Sequence, residues 1–389
     1  MGPAGCPVAV VWDDRFRGYD FGPGHPFTES SRWLAVRLLE ESGFFGPGPG
    51  AAPPVRIDSA DPATDEELLR FHQREYVAMV RSVSGSDRPG FLDRGDTPGF
   101  PGCHDAAARI ARGTLLGLER VLAAPTTHAF CPAGGLHHAH PGRASGFCIY
   151  DDVALAIATA LDGPPRLRRV AYIDIDAHHG DGVMYGFYHD GRVLDIDFHQ
   201  DGRTLFPGTG FPSETGAGDG RGLKVNVPLP PVAGDEAVIP LFDRLVPPLL
   251  SAFRPELIVL QTGVDGHAGD PLARLQYTPA AYEHVVGTLH RIAHESGGVR
   301  LLVTGGGGYR AAHVARVLAR AASRLAGGAL GRDPDGPTPA TWQRAFESTL
   351  GEPAPRRWGG GWTVAPSDWR PEHGEKLLAA LSQNLGVRI

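Results

Sequence analysis

Tyr172-Ile-Asp-Ile-Asp-Ala-His-His-Gly-Asp-Gly182 is the stretch on which the reading of this chain turns. Val170, Ala171, Ile173 and Ile175 make it begin as a short buried strand. Side chains two apart in a strand point the same way, so Asp174, Asp176 and His178 are expected on one face. Gly180 and Gly182 turn the backbone sharply, which leaves His179 and Asp181 at the rim. A buried strand end tolerates two carboxylates and an imidazole only when a cation or hydrogen bonds compensate them. A metal site is the economical explanation.

Working outward, apolar strands alternate with helices. Strands are expected at Val8–Trp12, Thr127–Cys131, Val170–Ile175, Val193–Phe198, Leu257–Gln261 and Leu301–Thr304. Helices are expected at Ser31–Glu41, His104–Ala123, Val153–Leu161, Glu236–Phe253, Ala280–Glu295 and Ala312–Leu325. That alternation predicts a parallel sheet covered on both faces. Gly46-Pro-Gly-Pro-Gly50 reads as a surface turn, and Val83 to Gly102 as a long loop that shapes an active-site rim. From Arg332 the chain is rich in Pro, Gly and Trp, with a final helix at Glu375–Asn384, and is expected to wrap the core.

Composition narrows the class. A chain of 389 residues with 42% hydrophobic content can bury a substantial core as a single domain over 1–389. A net charge of -7 argues against a nucleic-acid partner, which needs a basic surface. Cys6, Cys103, Cys131 and Cys148 lie far apart without a CxxC pair, the pattern of reduced thiols. Neither a signal peptide nor a membrane-length apolar run is visible, so a cytoplasmic protein is expected.

Sites in parallel α/β sheets form beyond the carboxyl ends of the strands. Four polar clusters fall there: Gly134-Gly-Leu-His-His138, the Asp176/His178/Asp181 group, Gln261-Thr-Gly-Val-Asp265, and Gly305-Gly-Gly-Gly-Tyr309. Each alone has an ordinary structural reading as a turn, a core histidine or an ion pair. Their coincidence at matching strand ends points to one site. Asp176, His178 and Asp265 supply three ligands suited to zinc and leave a fourth position open. His137 and His138 suit proton transfer, with Asp174 and Asp181 the nearest carboxylates not spent on metal. Tyr309 is placed to donate its phenolic hydrogen to an oxyanion. Water attack on an amide or ester is the reaction for this set.

These motifs, together with Ala144-Ser-Gly-Phe-Cys148, Leu205-Phe-Pro-Gly-Thr-Gly210, Val225-Asn-Val-Pro228 and Gly269-Asp-Pro271, resemble the metal-dependent histone deacetylase superfamily. The likeness is nearest to its bacterial acetoin-utilisation type. It runs from Val8 to about Leu325 and implies an arginase-like α/β fold, a three-layer sandwich around a mostly parallel eight-stranded sheet. It implies Asp176, His178 and Asp265 as ligands of Zn2+, with Fe2+ also accepted. His138 with Asp181 would be the general base, His137 with Asp174 the electrostatic partner, and Tyr309 the oxyanion donor. Phe147 and Phe206 would wall an acyl-lysine stem, Gly146 would offer a backbone acceptor, Asp96 would bind the substrate backbone, and Leu272 would stand at the mouth. A structural K+ would sit among Asp174, Asp176, His178, Asp197 and Phe198.

Three departures from the family pattern stand out. Position 197 is Asp where Ser is usual, and Asp151 stands where Asn is common. The arginine expected six residues after His25 is Ser31, with Arg32 one place late, so either the loop register shifts or that arginine is missing. The substrate implied is an acetyl-lysine protein. Small acetylated amines such as acetylpolyamines, a non-catalytic acyl-lysine reader and an arginase-like two-metal hydrolase are the alternatives. Oligomeric state is not legible.

Overall fold

Eight strands form one sheet in the computed structural model, which describes residues 6–46, 53–58, 61–87, 90–93, 95–124, 127–331 and 333–385. They are β1 (Val8–Val11), β2 (Val55–Ile57), β3 (His128–Cys131), β4 (Val170–Asp174), β5 (Val193–Gln200), β6 (Lys224–Leu229), β7 (Leu257–Gln261) and β8 (Arg300–Thr304). Their order is β2-β1-β3-β8-β7-β4-β5-β6, and every pair is parallel. The expected turn at Gly46–Gly50 lies outside the described residues from Pro47 onward.

A parallel sheet needs apolar cover on both sides, and the strands show it. Ala171 and Ile173 of β4 join one buried cluster, while Val170 and Tyr172 join the cluster on the opposite face. Ile258 and Leu260 of β7 divide from Leu257 and Val259 in the same way. The helices that cover the sheet include α1 (Ser30–Glu41), α2 (Asp65–Leu68), α3 (Arg74–Ser84), α4 (Cys103–Ala123), α5 (Asp152–Asp162) and α6 (Asp181–Gly186). They continue as α7 (Asp235–Phe253), α8 (Pro279–Glu295), α9 (Ala311–Leu325), α10 (Ala340–Leu350) and α11 (Pro371–Leu385). Among the described residues no helix is long and apolar enough to cross a membrane.

The six expected strands are present, with ends shifted by a residue or two. The periodicity did not reveal β2 and β6, the two edges of the sheet. β2 has only three residues, and β6 carries Pro228, which an edge strand tolerates because one side needs no ladder donor. Helices α2, α3, α6 and α10 also escape the periodicity, and the structured part of the Val83–Gly102 stretch begins as the end of α3.

The register explains where chemistry collects. Cys131 is level with Thr304, Thr304 with Gln261, and Gln261 with Asp174. The four strands followed by polar clusters are therefore neighbours, and they end in one row. C-terminal to them, Trp342 and Phe346 of α10 and Leu378 and Leu381 of α11 are buried in the cluster that holds Leu34 and Leu38 of α1. The Trp342 indole N–H also donates to the Leu34 carbonyl at 2.8 Å. Trp342→Ala should cost about 3–5 kcal/mol of stability, the usual loss for a fully buried large aromatic. Urea unfolding checks this, and a loss under about 1 kcal/mol would show that the segment contributes little.

Candidate functional site

Beyond β4 the chain leaves the sheet at Asp174, one residue earlier than expected, and the next three polar residues sit in the turn. Asp176 and His178 still converge. The His178 Nδ1 lies 3.2 Å from Asp176 Oδ1 and 2.9 Å from Asp265 Oδ2. All three are buried, and their ligand atoms fall within 4.8 Å of one another. Backbone amides hold the carboxylates in place: Gly307 donates to Asp176 at 2.8 Å and Ala177 to Asp265 at 2.8 Å. A Cβ at Gly307 would overlap the Asp265 carboxylate, and one at Gly263 would overlap that of Asp176. Glycine lets both loops close on the acids.

The rim expectation for His179 and Asp181 is corrected. Both are buried, because the chain enters α6 directly at Asp181 and folds His179 against Thr209 and Met184. Asp181 then faces inward, accepting from His138 Nδ1 at 2.7 Å and lying 3.0 Å from His140 Nε2. His137 Nδ1 donates to Asp174 Oδ2 at 2.7 Å, and the two histidine Nε2 atoms face each other at 3.1 Å. Burial opposes charge on His137, but Asp174 and Asp176 outweigh it and hold that imidazole above its ordinary range. Burial and the charge on His137 push His138 down to about 4, so its Nε2 keeps a lone pair at neutral pH.

Tyr309 follows the four glycines and is fixed by its amide, which donates to Asp270 at 2.9 Å. Its ring centroid is 6.4 Å from that of His178 and 6.0 Å from that of Phe147. Burial and the nearby Asp265 and Asp176 push the phenol well above its usual range, so it keeps its proton. His137, His138, Asp176, His178, Gly307 and Tyr309 all line one tight inner cavity.

Outside it opens a cleft of about 630 Å³, bordered by Asp93, Asp96, Arg143, Asp181, Tyr185 and Phe206. Phe206 is 40% exposed and packs edge-on to His138, with ring centroids 5.1 Å apart. Phe147 adopts φ of 67°, costly for a bulky residue, and is held there by Tyr19 and Thr97 on its carbonyl and amide. Gly146 has φ of 54°, and a Cβ there would meet the His138 ring. Burial and Asp93 raise Asp96 to about 6. Leu272 is exposed and does not border this cleft; Asp270 accepts from its amide and from that of Tyr309.

Asp197 behaves differently from an open cation ligand. One carboxylate oxygen accepts from the Gly180 amide at 2.7 Å and the other from His199 Nδ1 at 2.7 Å. The Phe198 side chain is in the core. Asp151 caps α5 by accepting from Ala154. Several residues at the site have no role assigned from the sequence: Tyr172, whose hydroxyl donates to Asp174, His140 beside Asp181, Asp152, which accepts from Gly135 and Leu136, and Asp270. Tyr172 lies two residues from its partner on the same strand, whereas His140, Asp152 and Asp270 act across sequence distance.

Of the two alternatives for the early arginine, Arg32 is buried and donates to the Gly306 carbonyl behind the site and to Thr28 at 3.0 Å. Glu29, one turn before it, is buried with both carboxylate oxygens lacking a hydrogen-bond partner. Burial, partly offset by Arg32, pushes Glu29 from 4.5 up to about 8. A raised carboxyl keeps its full stability below pH 4.5 and loses it as pH rises towards 8, because the unfolded chain ionises first. Glu29→Gln should match wild type at pH 4 and gain on it up to pH 8, by at most about 1.4 kcal/mol per pH unit. Thermal unfolding across that range checks it, and a gap that does not grow with pH would refute it.

Comparison with known proteins follows the same lines. The histone deacetylase domain family matches residues 25–325. The chain is 34% identical over 382 residues to the acetoin utilization protein AcuC of Bacillus subtilis, covering 96% of each. It is 32% identical over 358 residues to AcuC of Staphylococcus xylosus, covering 90% of each, and 32% identical to AcuC of Staphylococcus aureus, covering 90% of this chain and 89% of that one.

Proposed function

The chain belongs to the histone deacetylase domain family, hydrolytic enzymes that act on acetylated amides, and from that premise we propose that it deacetylates N-ε-acetyl-lysine on proteins. The observation that carries this reading is the pair of carboxylate-backed histidines set against the buried Asp176/His178/Asp265 group. Those three residues fit a divalent ion, Zn2+ first, while the same donors accept Fe2+. When bound, such an ion supplies Lewis-acid polarisation of the amide carbonyl and of an attacking water.

The chain's own groups do the rest. His138, neutral and steadied by Asp181, takes a proton from the attacking water at Nε2. As the carbon–nitrogen bond breaks, the same nitrogen returns that proton to the leaving amine, giving acetate and lysine. His137, with Asp174, holds positive charge beside the developing oxyanion, and the Tyr309 phenol donates to it. Phe147 and Phe206 suit an apolar linear stem, and Asp96 at the rim suits the peptide amides flanking it. Asp197 accepts one hydrogen bond on each oxygen, from Gly180 and His199, so a K+ held through that side chain would share its oxygens with those donors. Four buried cysteines, none in a disulfide, support a cytoplasmic setting.

Tyr309→Phe should lower turnover on an acetyl-lysine peptide by roughly 10²–10³-fold with little change in peptide affinity. A near wild-type rate would remove Tyr309 from the mechanism. The acidic rim at Asp93 and Asp96 favours cationic substrates in general, which keeps acetylpolyamines as the second reading. On the acetyl-lysine reading, acetyl-lysine peptides should turn over faster than acetylspermidine. Paired kcat/KM measurements decide it, and a strong polyamine preference would replace the protein substrate with the small one.

A further inference from the structure

We propose that Cys6, His128, His290 and His294 hold a second metal ion, with the coordination chemistry of Zn2+, at the edge of the sheet opposite the deacetylase site. Cys6 lies just before β1 and His128 opens β3, so both belong to the amino-terminal edge of a sheet whose carboxyl edge carries the acids. His290 and His294 are one turn apart on α8, the spacing that presents two imidazoles on one helix face. One potential ligand atom from each of the four residues falls within 4.8 Å of the rest. His128 Nε2 is 3.1 Å from His290 Nδ1, and Cys6 Sγ is 3.9 Å from that same nitrogen. A tetrahedral zinc site with ordinary bond lengths has ligand-to-ligand edges of about 3.3–3.7 Å, between these values.

Ordinary core packing accounts poorly for the group. Cys6, His128 and His290 are buried and His294 half-buried, and the rings pack edge to face with centroids 4.7–5.0 Å apart. Buried histidines are normally fixed by hydrogen bonds; here His128 Nε2 and His290 Nδ1 pair with each other, the latter also beside the Cys6 sulfur, while the opposite nitrogens, His128 Nδ1 and His290 Nε2, and His294 Nε2 have no partner among the described residues. No carboxylate of the described residues belongs to the group, so a set of imidazolium ions is not what it holds. The Cys6 thiol would lose its proton to solvent as sulfur bonds to the ion. Four protein ligands make a closed, structural site. It would tie the starts of β1 and β3 to α8.

The deacetylase site has no sulfur ligand, so one spectroscopic signal separates the two. Chelated full-length protein titrated with Co2+ should develop a near-ultraviolet thiolate-to-cobalt charge-transfer band. Cys6→Ser should abolish that band while retaining turnover on an acetyl-lysine peptide after Zn2+ is restored. Elemental analysis of the protein as purified should give two ions per chain in wild type and one in a His290→Ala/His294→Ala variant. Absence of the band in wild type, or the same band in Cys6→Ser, would overturn the proposal, as would equal metal content in wild type and the double variant. Turnover is measured separately, so a failure of the deacetylase reading leaves the second metal site standing or falling on its own signal.

Discussion

Burying carboxylates at the ends of parallel strands is the constraint around which this structure is arranged. Asp174, Asp176, Asp181 and Asp265 are each nearly inaccessible to water, and an ionised group in that setting is tolerated only with compensation. The chain supplies it locally. Four imidazoles face the four acids, and amides of Asp176, Ala177, His178 and Gly307 donate to their oxygens. Those histidines and amides compensate an arrangement dense in acid, and on the proposed reading the same histidines and acids would serve as ligands and proton carriers.

Position in the sheet converts this local solution into a site. Levelling Cys131, Thr304, Gln261 and Asp174 in adjacent strands brings four loops from distant parts of the chain to one place. Gln261 cross-links them, donating to the Gly135 carbonyl at 2.8 Å and accepting from Thr304 at 2.8 Å. Such buried side-chain bonds leave little freedom for the loops to drift, which matters where proton transfer depends on fractions of an ångström.

A second polar layer lies beneath. Asp195, Asp197 and His199 alternate on one side of β5, level with Tyr172 and Asp174 of β4. His199 neutralises Asp197 directly, while Asp195 has no hydrogen-bond partner and is pushed well above the carboxylate range by burial and by Asp197. Lys224, buried on the neighbouring strand, donates to the Val193 carbonyl at 2.7 Å. Burial opposes charge on His199 but Asp197 outweighs it, while burial lowers Lys224 to about 8, partly offset by Asp195.

The amino-acid sequence by itself determined the alternation of apolar strands with helices, hence a parallel sheet, and the identity of the residues after four strand ends. Those features are local: periodicity, strand length and residue type suffice to read them. Asp176, His178, Asp265, the adjacent His137 and His138, and Tyr309 stood out as candidates because chemistry-bearing residues sat in contiguous motifs. Only the tertiary structure decided that His179 and Asp181 turn inward and that Arg32 reaches Gly306. It also decided the short edge strands and the meeting of Cys6, His128, His290 and His294. Those depend on which loops meet in space, and partners separated by up to 288 positions leave no trace in a window of neighbouring residues.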